Sequence, residues 1–152
     1  MRYNRQNAVN YAQKWALSRN PAYYNYDYIG GDCTNFISQC IYAGYPEMNY
    51  SEYGWYYINA NAKSPSWTGV KYLYEFLISN EEVGPRGRVI DKGGLEIGDI
   101  IQLSFGSGIF GHTLIVSKIE NENILICAHT VDSRNRPLNT YSFEEARYIK
   151  VY

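Results

Sequence analysis

Residues 30–44 read GGDCTNFISQCIYAG, and this stretch places a cysteine at the start of a predicted helix. Its apolar side chains recur at three- and four-residue spacing, at Phe36, Ile37, Cys40 and Ile41. That spacing is typical of an amphipathic helix with one buried face. Asp32 is a suitable N-cap, and Gly44 is suited to end the helix. We therefore predict a helix over residues 33–44 that begins at Cys33.

Two further helices are predicted on either side of this segment. Residues 4–18, NRQNAVNYAQKWALS, have the same amphipathic spacing, and the Asn20-Pro21 pair should end that helix. Residues 45–66 are polar and aromatic without a clear period, and they exceed the usual length of a connection. A third helix is predicted over residues 67–79.

The second half of the chain has the pattern of an antiparallel sheet. Glycine and proline punctuate a loop after position 81, and four predicted strands follow at 98–105, 112–119, 124–130 and 147–152. The segment NEN at 121–123 suits a tight hairpin turn. Helices followed by antiparallel strands are typical of an α+β fold. With 152 residues and no internal repeat, residues 1–152 are predicted to form a single domain, and we expect a monomer.

Composition excludes several classes of function. The formal net charge is −1 with no long run of like charge, so the basic footprint of a nucleic-acid binder is absent. No apolar stretch approaches the length of a membrane span, about 18 residues. The first residues, MRYNRQNAVNYAQ, lack the apolar core of a signal peptide. Two localisations stay open: a cytoplasmic protein, or an extracellular or cell-wall domain that belongs to a longer secreted protein.

The three cysteines form no CxxC pair, which argues against a disulfide framework or a zinc site. Cys33 follows two glycines and an aspartate at a helix N-terminus, where the helix dipole stabilises a thiolate. The unpaired N–H groups there can also donate to an oxyanion. We predict that Cys33 is the reactive thiol, and that Cys40 and Cys127 pack in the core.

A thiol nucleophile needs a base, and the chain offers only two histidines. His112 follows a glycine and opens a predicted strand, so its ring can project from the sheet towards a helix end. We predict that His112 is the base and lies within hydrogen-bond reach of Cys33.

His129 stands on the next predicted strand and is the predicted third member of the site. If the turn lies at 120–121, the two histidines face each other. If the turn lies at 121–122, they are diagonal neighbours. Either register puts both on one face, because side chains alternate with period two. His129 could then orient His112. Asp132 falls on the other face if the strand runs on regularly, and it is the alternative third member.

Five segments of the chain resemble the putative amidase domain family of bacteria: YNRQNAVNYAQKWA, NPAYYNYDYIGGDCTNFISQ, GDIIQLSF, GHTLIVS and AHTVDSRNRPL. The resemblance covers most of the chain and is weakest over residues 45–90. It extends to the larger papain-like group, which includes NlpC-type cell-wall peptidases and the cysteine, histidine-dependent amidohydrolase/peptidase domains. It implies a papain-like α+β fold in which N-terminal helices pack on a small antiparallel sheet.

The resemblance also implies roles for the same residues. Cys33 would be the nucleophile, with its backbone N–H in the oxyanion hole, and His112 would be the general base and later the acid. In such enzymes a third polar residue lies on the strand after the histidine strand, where His129 stands.

The expected function is hydrolysis of an amide or peptide bond through a thioester, without a metal or other cofactor. The family context and the 17 tyrosines suggest bacterial cell-wall peptide, peptidoglycan, as the substrate. Two alternatives stay open. An acyltransferase would use the same site with an amine or hydroxyl acceptor, and a catalytically silent wall-binding module would keep only the fold.

Overall fold

A computed structural model describes residues 2–152, and over that range the chain is α+β, as the sequence predicts. The helices are α1 (Arg5–Trp15), α2 (Cys33–Gly44), α3 (Pro65–Thr68) and α4 (Val70–Ser79). The predicted third helix is therefore two helices, which Gly69 separates in an extended conformation. Two short 3₁₀ turns lie at Lys92–Gly94 and Leu138–Thr140.

The strands form two antiparallel sheets within the described residues. The smaller sheet pairs β1 (Tyr57–Asn59) with β2 (Ala62–Lys63), inside the segment that lacked a clear period. The larger sheet has the order β3-β8-β4-β5-β6-β7. Its strands are β3 (Gly87–Ile90), β4 (Ile100–Ser104), β5 (Phe110–Glu120), β6 (Asn123–His129), β7 (Asp132–Pro137) and β8 (Glu145–Val151). The strands predicted from sequence correspond to β4, β5, β6 and β8, whereas β3 and β7 lie at the two edges and were not predicted.

The sheet separates two apolar clusters. On one face, α1, α2 and α4 pack against Ile100, Ile115 and Ile149, and the buried Cys40 and Cys127 belong to this cluster, as predicted. The opposite face carries a smaller cluster around Leu103 and Leu114. Burial raises the pKa of both core thiols, so neither is poised to react.

The ends of α1 and α2 explain how the two helices meet. Asn4 caps α1 by accepting from the backbone N–H of Asn7 over 2.9 Å. Helix α2 ends at Gly44 as predicted, but the reason is close packing. A Cβ atom there would lie 2.7 Å from the carbonyl oxygen of Asn4 and 2.7 Å from a ring carbon of Tyr3. Gly44 therefore allows the start of α1 to cross the end of α2.

The predicted capping role of Asp32 is wrong. Asp32 occupies the N-cap position of α2, but its side chain makes no capping hydrogen bond. It is 2% exposed and turns towards other partners. Polar groups that are buried this deeply need hydrogen bonds, and Asp32 finds them outside the helix.

A bulge in the β5–β6 hairpin reverses the predicted relation between the two histidines. The turn lies at residues 121–122, but the pairing shifts by one residue between Val116 and Lys118. Beyond the bulge Ile115 pairs with Cys127, a register that extends to place His129 opposite Thr113. His112 and His129 therefore have opposite parity, and the prediction that they share a face is wrong.

Candidate active site around Cys33

A cavity of about 150 Å³ lies where three segments meet. The loop that precedes α2 contributes Cys33 and its neighbours from Asp27 onwards, the start of β5 contributes His112, and the end of β6 contributes His129 and Thr130. The structure thus brings the three predicted site residues to one cavity. It does so although the two histidines have opposite parity.

Cys33 is the first residue of α2 and is partly exposed. Its Sγ atom lies 3.7 Å from the Thr34 hydroxyl. Among residues 2–152, Cys33 makes no hydrogen bond to either histidine, so the predicted contact with His112 is not made in this structure. Catalytic hydrogen bonds are often long before substrate binds.

The N–H groups at the start of α2 stay free of a side-chain cap because Asp32 is engaged elsewhere. One carboxylate oxygen accepts from the backbone N–H of Tyr26 over 3.0 Å and from the side-chain amide of Asn35 over 2.9 Å. The other oxygen accepts from His129 Nδ1 over 2.7 Å. Asp32 therefore fixes the loop before the nucleophile and leaves the helix end able to bind an oxyanion.

His112 is partly buried beside the cavity mouth. Its Nδ1 atom lies 3.2 Å from the hydroxyl of Thr130, and its ring meets the ring of Phe105 edge-on at 4.6 Å. Partial burial lowers the pKa of His112, since desolvation disfavours the imidazolium. The ring is therefore neutral at neutral pH, and its Nε2 atom makes no hydrogen bond to the residues that the structure describes.

His129 is held in a different environment and does not contact His112. Its side chain is 2% exposed and its ring stacks on Phe36 with centroids 3.8 Å apart. Besides the bond to Asp32, its Nε2 lies 2.7 Å from the carbonyl oxygen of Trp15. Arg19 Nη1 lies 3.2 Å from the same nitrogen, but the carbonyl contact is shorter and assigns Nε2 as a donor. Both ring nitrogens thus lie within hydrogen-bond distance of oxygen atoms.

Asp132, the alternative third member, does not approach His112 either. The chain turns at Thr130 and Val131, so Asp132 pairs with His129 across the β6–β7 hairpin and the strand does not run on. Its carboxylate makes a bidentate pair with Arg19, at 2.9 and 3.0 Å.

Arg19 and Thr130 are two residues of the site that sequence reasoning missed. Arg19 also pairs with Asp27 at 2.8 Å and lies 3.5 Å from Asp32, so it joins the segment after α1 to the loop before Cys33. The hydrogen bond from Arg19 lowers the pKa of Asp27. Thr130 follows His129 in the AHTVDSRNRPL segment quoted above. The observed pairing of Ile115 with Cys127, extended along the hairpin, places Thr130 opposite His112.

Neither metal ligation nor a membrane helix is visible in the part of the chain described. Over residues 2–152, no three His, Cys, Asp or Glu side chains cluster closely enough to hold a metal ion. No helix within that range has the length and apolar character needed to cross a bilayer.

Comparison with known proteins gives a consistent relationship. A family model described as "Putative amidase domain" matches residues 2–152. The uncharacterized protein YhbB of Bacillus subtilis (strain 168) is 39% identical over 150 residues, which are 95% of this chain and 46% of the relative. The uncharacterized protein YjcM of the same strain is 26% identical over 158 residues, 97% of this chain and 36% of the relative. The chain thus spans less than half the length of these two relatives. No solved structure matches the chain significantly.

Proposed function

This chain belongs to the putative amidase domain family, and we propose that it hydrolyses an amide bond through a thioester on Cys33. One observation carries the proposal: Cys33 begins α2, whose first N–H groups are uncapped, in a cavity that it shares with the neutral His112. We further propose that the arrangement is papain-like. A nucleophile at a helix N-terminus beside an antiparallel sheet that carries the base supports that relation.

In the proposed first half-reaction, His112 Nε2 takes the thiol proton as the sulfur of Cys33 attacks the amide carbon. The negative charge that develops on the carbonyl oxygen is stabilised by N–H groups of the first turn of α2. The protonated His112 then gives its proton to the leaving nitrogen, and the C–N bond breaks. The products of this half are a free amine and a thioester on Cys33.

In the second half-reaction, His112 takes a proton from water, and the oxygen attacks the thioester carbon. The C–S bond breaks, the carboxylic acid leaves, and Cys33 recovers its proton from His112. The hydrogen bond between the Thr130 hydroxyl and Nδ1 of His112 holds the ring in place. His129 acts on the other side of the site: it holds Asp32, and Asp32 fixes the loop before Cys33. His129 is in this proposal a positioning residue.

We propose a peptide amide as the substrate, with bacterial cell-wall peptide as the first choice. The family match supports an amide as the substrate. The choice of cell-wall peptide rests on the resemblance to NlpC-type cell-wall peptidases. Because the chain covers less than half of each relative, the partners and location of the complete proteins are not carried over.

The test is turnover of peptidoglycan fragments and simple peptide amides by four proteins: wild type, Cys33→Ala, His112→Ala and Cys127→Ala. We expect activity in wild type and in Cys127→Ala, which removes a buried thiol of the core. We expect loss of activity in the other two. An active Cys33→Ala protein would refute the thioester route.

Two further measurements separate the alternatives. If added amines divert the product from the acid to a new amide, the enzyme is an acyltransferase on the same site. If iodoacetamide at neutral pH does not modify Cys33, the chain is a silent binding module.

A further inference from the structure

Arg147 lies in a polar row that crosses the sheet beneath the nucleophile. Gln102 of β4 pairs with Thr113 of β5 on one side and with Arg147 of β8 on the other. Directly paired residues project from the same face of a sheet. The three side chains therefore line the face of the sheet that carries α2.

A continuous chain of hydrogen bonds joins this row to the helix that begins with Cys33. The hydroxyls of Thr34 and Thr113 lie 3.1 Å apart, and Gln102 Nε2 donates to Thr113 over 3.2 Å. Arg147 Nε then donates to Gln102 Oε1 over 2.7 Å. The side chains that form these hydrogen bonds are fully buried at Thr34, Thr113 and Gln102. This chain of hydrogen bonds therefore fixes Arg147 relative to the start of α2.

The guanidinium of Arg147 is held between two aromatic rings. It lies 3.6 Å from the ring centre of Tyr74 on α4 and 4.2 Å from that of Phe110. Phe110 stands two positions before His112 on β5, so the guanidinium lies at the same end of the sheet as the proposed base. A guanidinium stacked in this way is preorganised, which reduces the entropy lost when it binds a ligand.

Arg147 has no carboxylate partner within 4.0 Å among the residues that the structure describes. Arg5 and Arg19, by contrast, pair with Asp99 at 2.6 Å and with Asp132 at 2.9 Å. The two terminal amino groups of Arg147 make no hydrogen bond within the same range of the chain. Burial lowers the pKa of Arg147, and Coulombic interactions with Tyr74 and Glu75 only partly oppose this. A partly buried charge without a counter-ion is costly, and a ligand anion would relieve that cost.

We propose that Arg147 binds a carboxylate of the substrate, which makes this residue a determinant of specificity. The inference rests on the proposed amide hydrolysis at Cys33 and deepens it. Neighbouring strands lie about 4.8 Å apart, so the backbones of Thr113 and Arg147 are separated by about 10 Å. An extended peptide advances about 3.4 Å per residue. We therefore expect the carboxylate to lie one to three residues from the scissile amide. A peptide cleaved near its free C-terminus has a carboxylate at this distance.

The competing role for Arg147 is structural: its guanidinium would simply brace Tyr74 and Phe110. The two roles differ in what a carboxylate on the ligand does. If Arg147 is only structural, the free-acid and amide forms of a ligand should react equally well. If Arg147 binds a carboxylate, the free acid should react faster.

The experiment uses chloroacetyl peptides of one, two and three glycines, each as the free acid and as the C-terminal amide. The sulfur of Cys33 displaces chloride, so a C–S bond forms as the C–Cl bond breaks, and mass spectrometry measures the rate. The acid-to-amide rate ratio is divided by the same ratio for glutathione, which removes intrinsic reactivity. We expect the acid to react at least about tenfold faster at one of the three lengths.

Four proteins are compared: wild type, Arg147→Met, Arg147→Lys and Arg136→Met. Methionine keeps an unbranched side chain between the rings without the charge, and lysine keeps the charge without the planar fork. Arg136 is the matched control, since its guanidinium stacks 3.7 Å from the ring centre of Tyr141 and bonds to Thr140. We expect the acid preference to disappear in Arg147→Met, to fall in Arg147→Lys and to persist in Arg136→Met.

Each outcome decides a separate point. If no length shows an acid preference, or if Arg147→Met keeps it, the carboxylate site is refuted while iodoacetamide labelling of Cys33 can still support the proposed function. If iodoacetamide leaves Cys33 unmodified, the proposed function fails, and this inference fails with it. Thermal unfolding of each variant confirms that the compared proteins are folded.

Discussion

His129 Nδ1 lies 2.7 Å from Asp32 Oδ2, one residue before Cys33, and the two side chains are only 2% and 1% exposed. Asp32 holds the backbone of Tyr26 with its other oxygen. The pair therefore fixes the loop that leads into the nucleophile. Its influence on a reaction at Cys33 would come through the position of that loop, since the hydrogen bond of His112 is to Thr130.

The first prediction concerns the stability of this pair. His129→Ala leaves a buried carboxylate without its closest partner, and removing one member of a buried pair typically costs 3–5 kcal/mol. Arg19 lies 3.5 Å from Asp32 and compensates in part, so we expect a loss of about 3 kcal/mol in the free energy of unfolding. Urea denaturation measures it.

Asp132→Asn is the matched control for that substitution. It weakens the pair between Asp132 and Arg19, whose side chains are 36% and 22% exposed. Exposed ion pairs contribute about 1 kcal/mol or less, so the control should lose less than His129→Ala. Equal losses in the two variants would contradict the distinction between the buried and the exposed pair.

The second prediction concerns which thiol reacts. Burial raises the pKa of Cys40 and Cys127, whereas Cys33 is partly exposed at a helix N-terminus. Brief iodoacetamide exposure at neutral pH should therefore alkylate Cys33 alone in the folded protein. All three should react in urea, which serves as the positive control. Mass spectrometry that finds Cys40 or Cys127 modified first in the folded state would reverse the assignment.

The third prediction is the pH dependence of activity. Burial lowers the pKa of His112 below its ordinary value of 6.5, so the neutral base persists below that pH. We expect the acid limb of kcat/KM to have its midpoint below pH 6.5. His112→Ala should lower kcat/KM by about 10²- to 10⁴-fold while the protein stays folded. A midpoint above pH 6.5 would argue against His112 as the base.

The same shift has a consequence for stability, with a defined sign. As pH falls below 6.5, the unfolded chain binds a proton at His112 before the folded chain does. The unfolded state is then favoured, so stability falls between pH 6.5 and the lower folded pKa. His112→Gln should remove this part of the pH dependence. Urea denaturation at several pH values measures the difference.

The fold class, the principal helices and four strands of the main sheet were predictable because each has its own local period. The helix at residues 33–44 and the cavity position of Cys33 follow from one continuous pattern. The side-chain parity of His129 was not predictable, because a single bulged residue in β5 reverses every position beyond it. Strand β7 was missed since its polar, partly exposed sequence lacks a buried face.

Asp32 shows a second kind of limit. Its residue type and its place before a helix are those of a cap. The histidine that hydrogen-bonds to its carboxylate, however, lies 97 positions away. A local rule cannot anticipate a partner at that distance. Gly44 is similar, since the atoms that require a glycine there belong to Tyr3 and Asn4.

The fourth prediction tests that close approach. Gly44→Ala would place a Cβ atom 2.7 Å from a backbone oxygen, which cannot move without shifting α1. Overpacking of this kind typically costs 1–3 kcal/mol, and we expect a loss of about 2 kcal/mol in the free energy of unfolding. Gly93→Ala is the control because an added Cβ there meets nothing within 4 Å. If both variants are as stable as wild type, the packing explanation for Gly44 is wrong.

The last prediction concerns Thr130, whose hydroxyl lies 3.2 Å from His112 Nδ1 in the turn between β6 and β7. Thr130→Val keeps the shape of the side chain but removes the hydroxyl, so the ring of His112 loses the hydrogen bond that holds its orientation. We expect kcat to fall about tenfold with little change in KM, because the base is misoriented while the binding surface is unchanged. Thr130→Ser should restore most of the rate, since it returns the hydroxyl. Thr140→Val is the control, because its hydroxyl bonds to Arg136. Steady-state kinetics on the best substrate decides the matter: a Thr130→Val protein with wild-type kcat, or a Thr130→Ser protein that stays as slow as the valine variant, would mean that Thr130 does not orient the base.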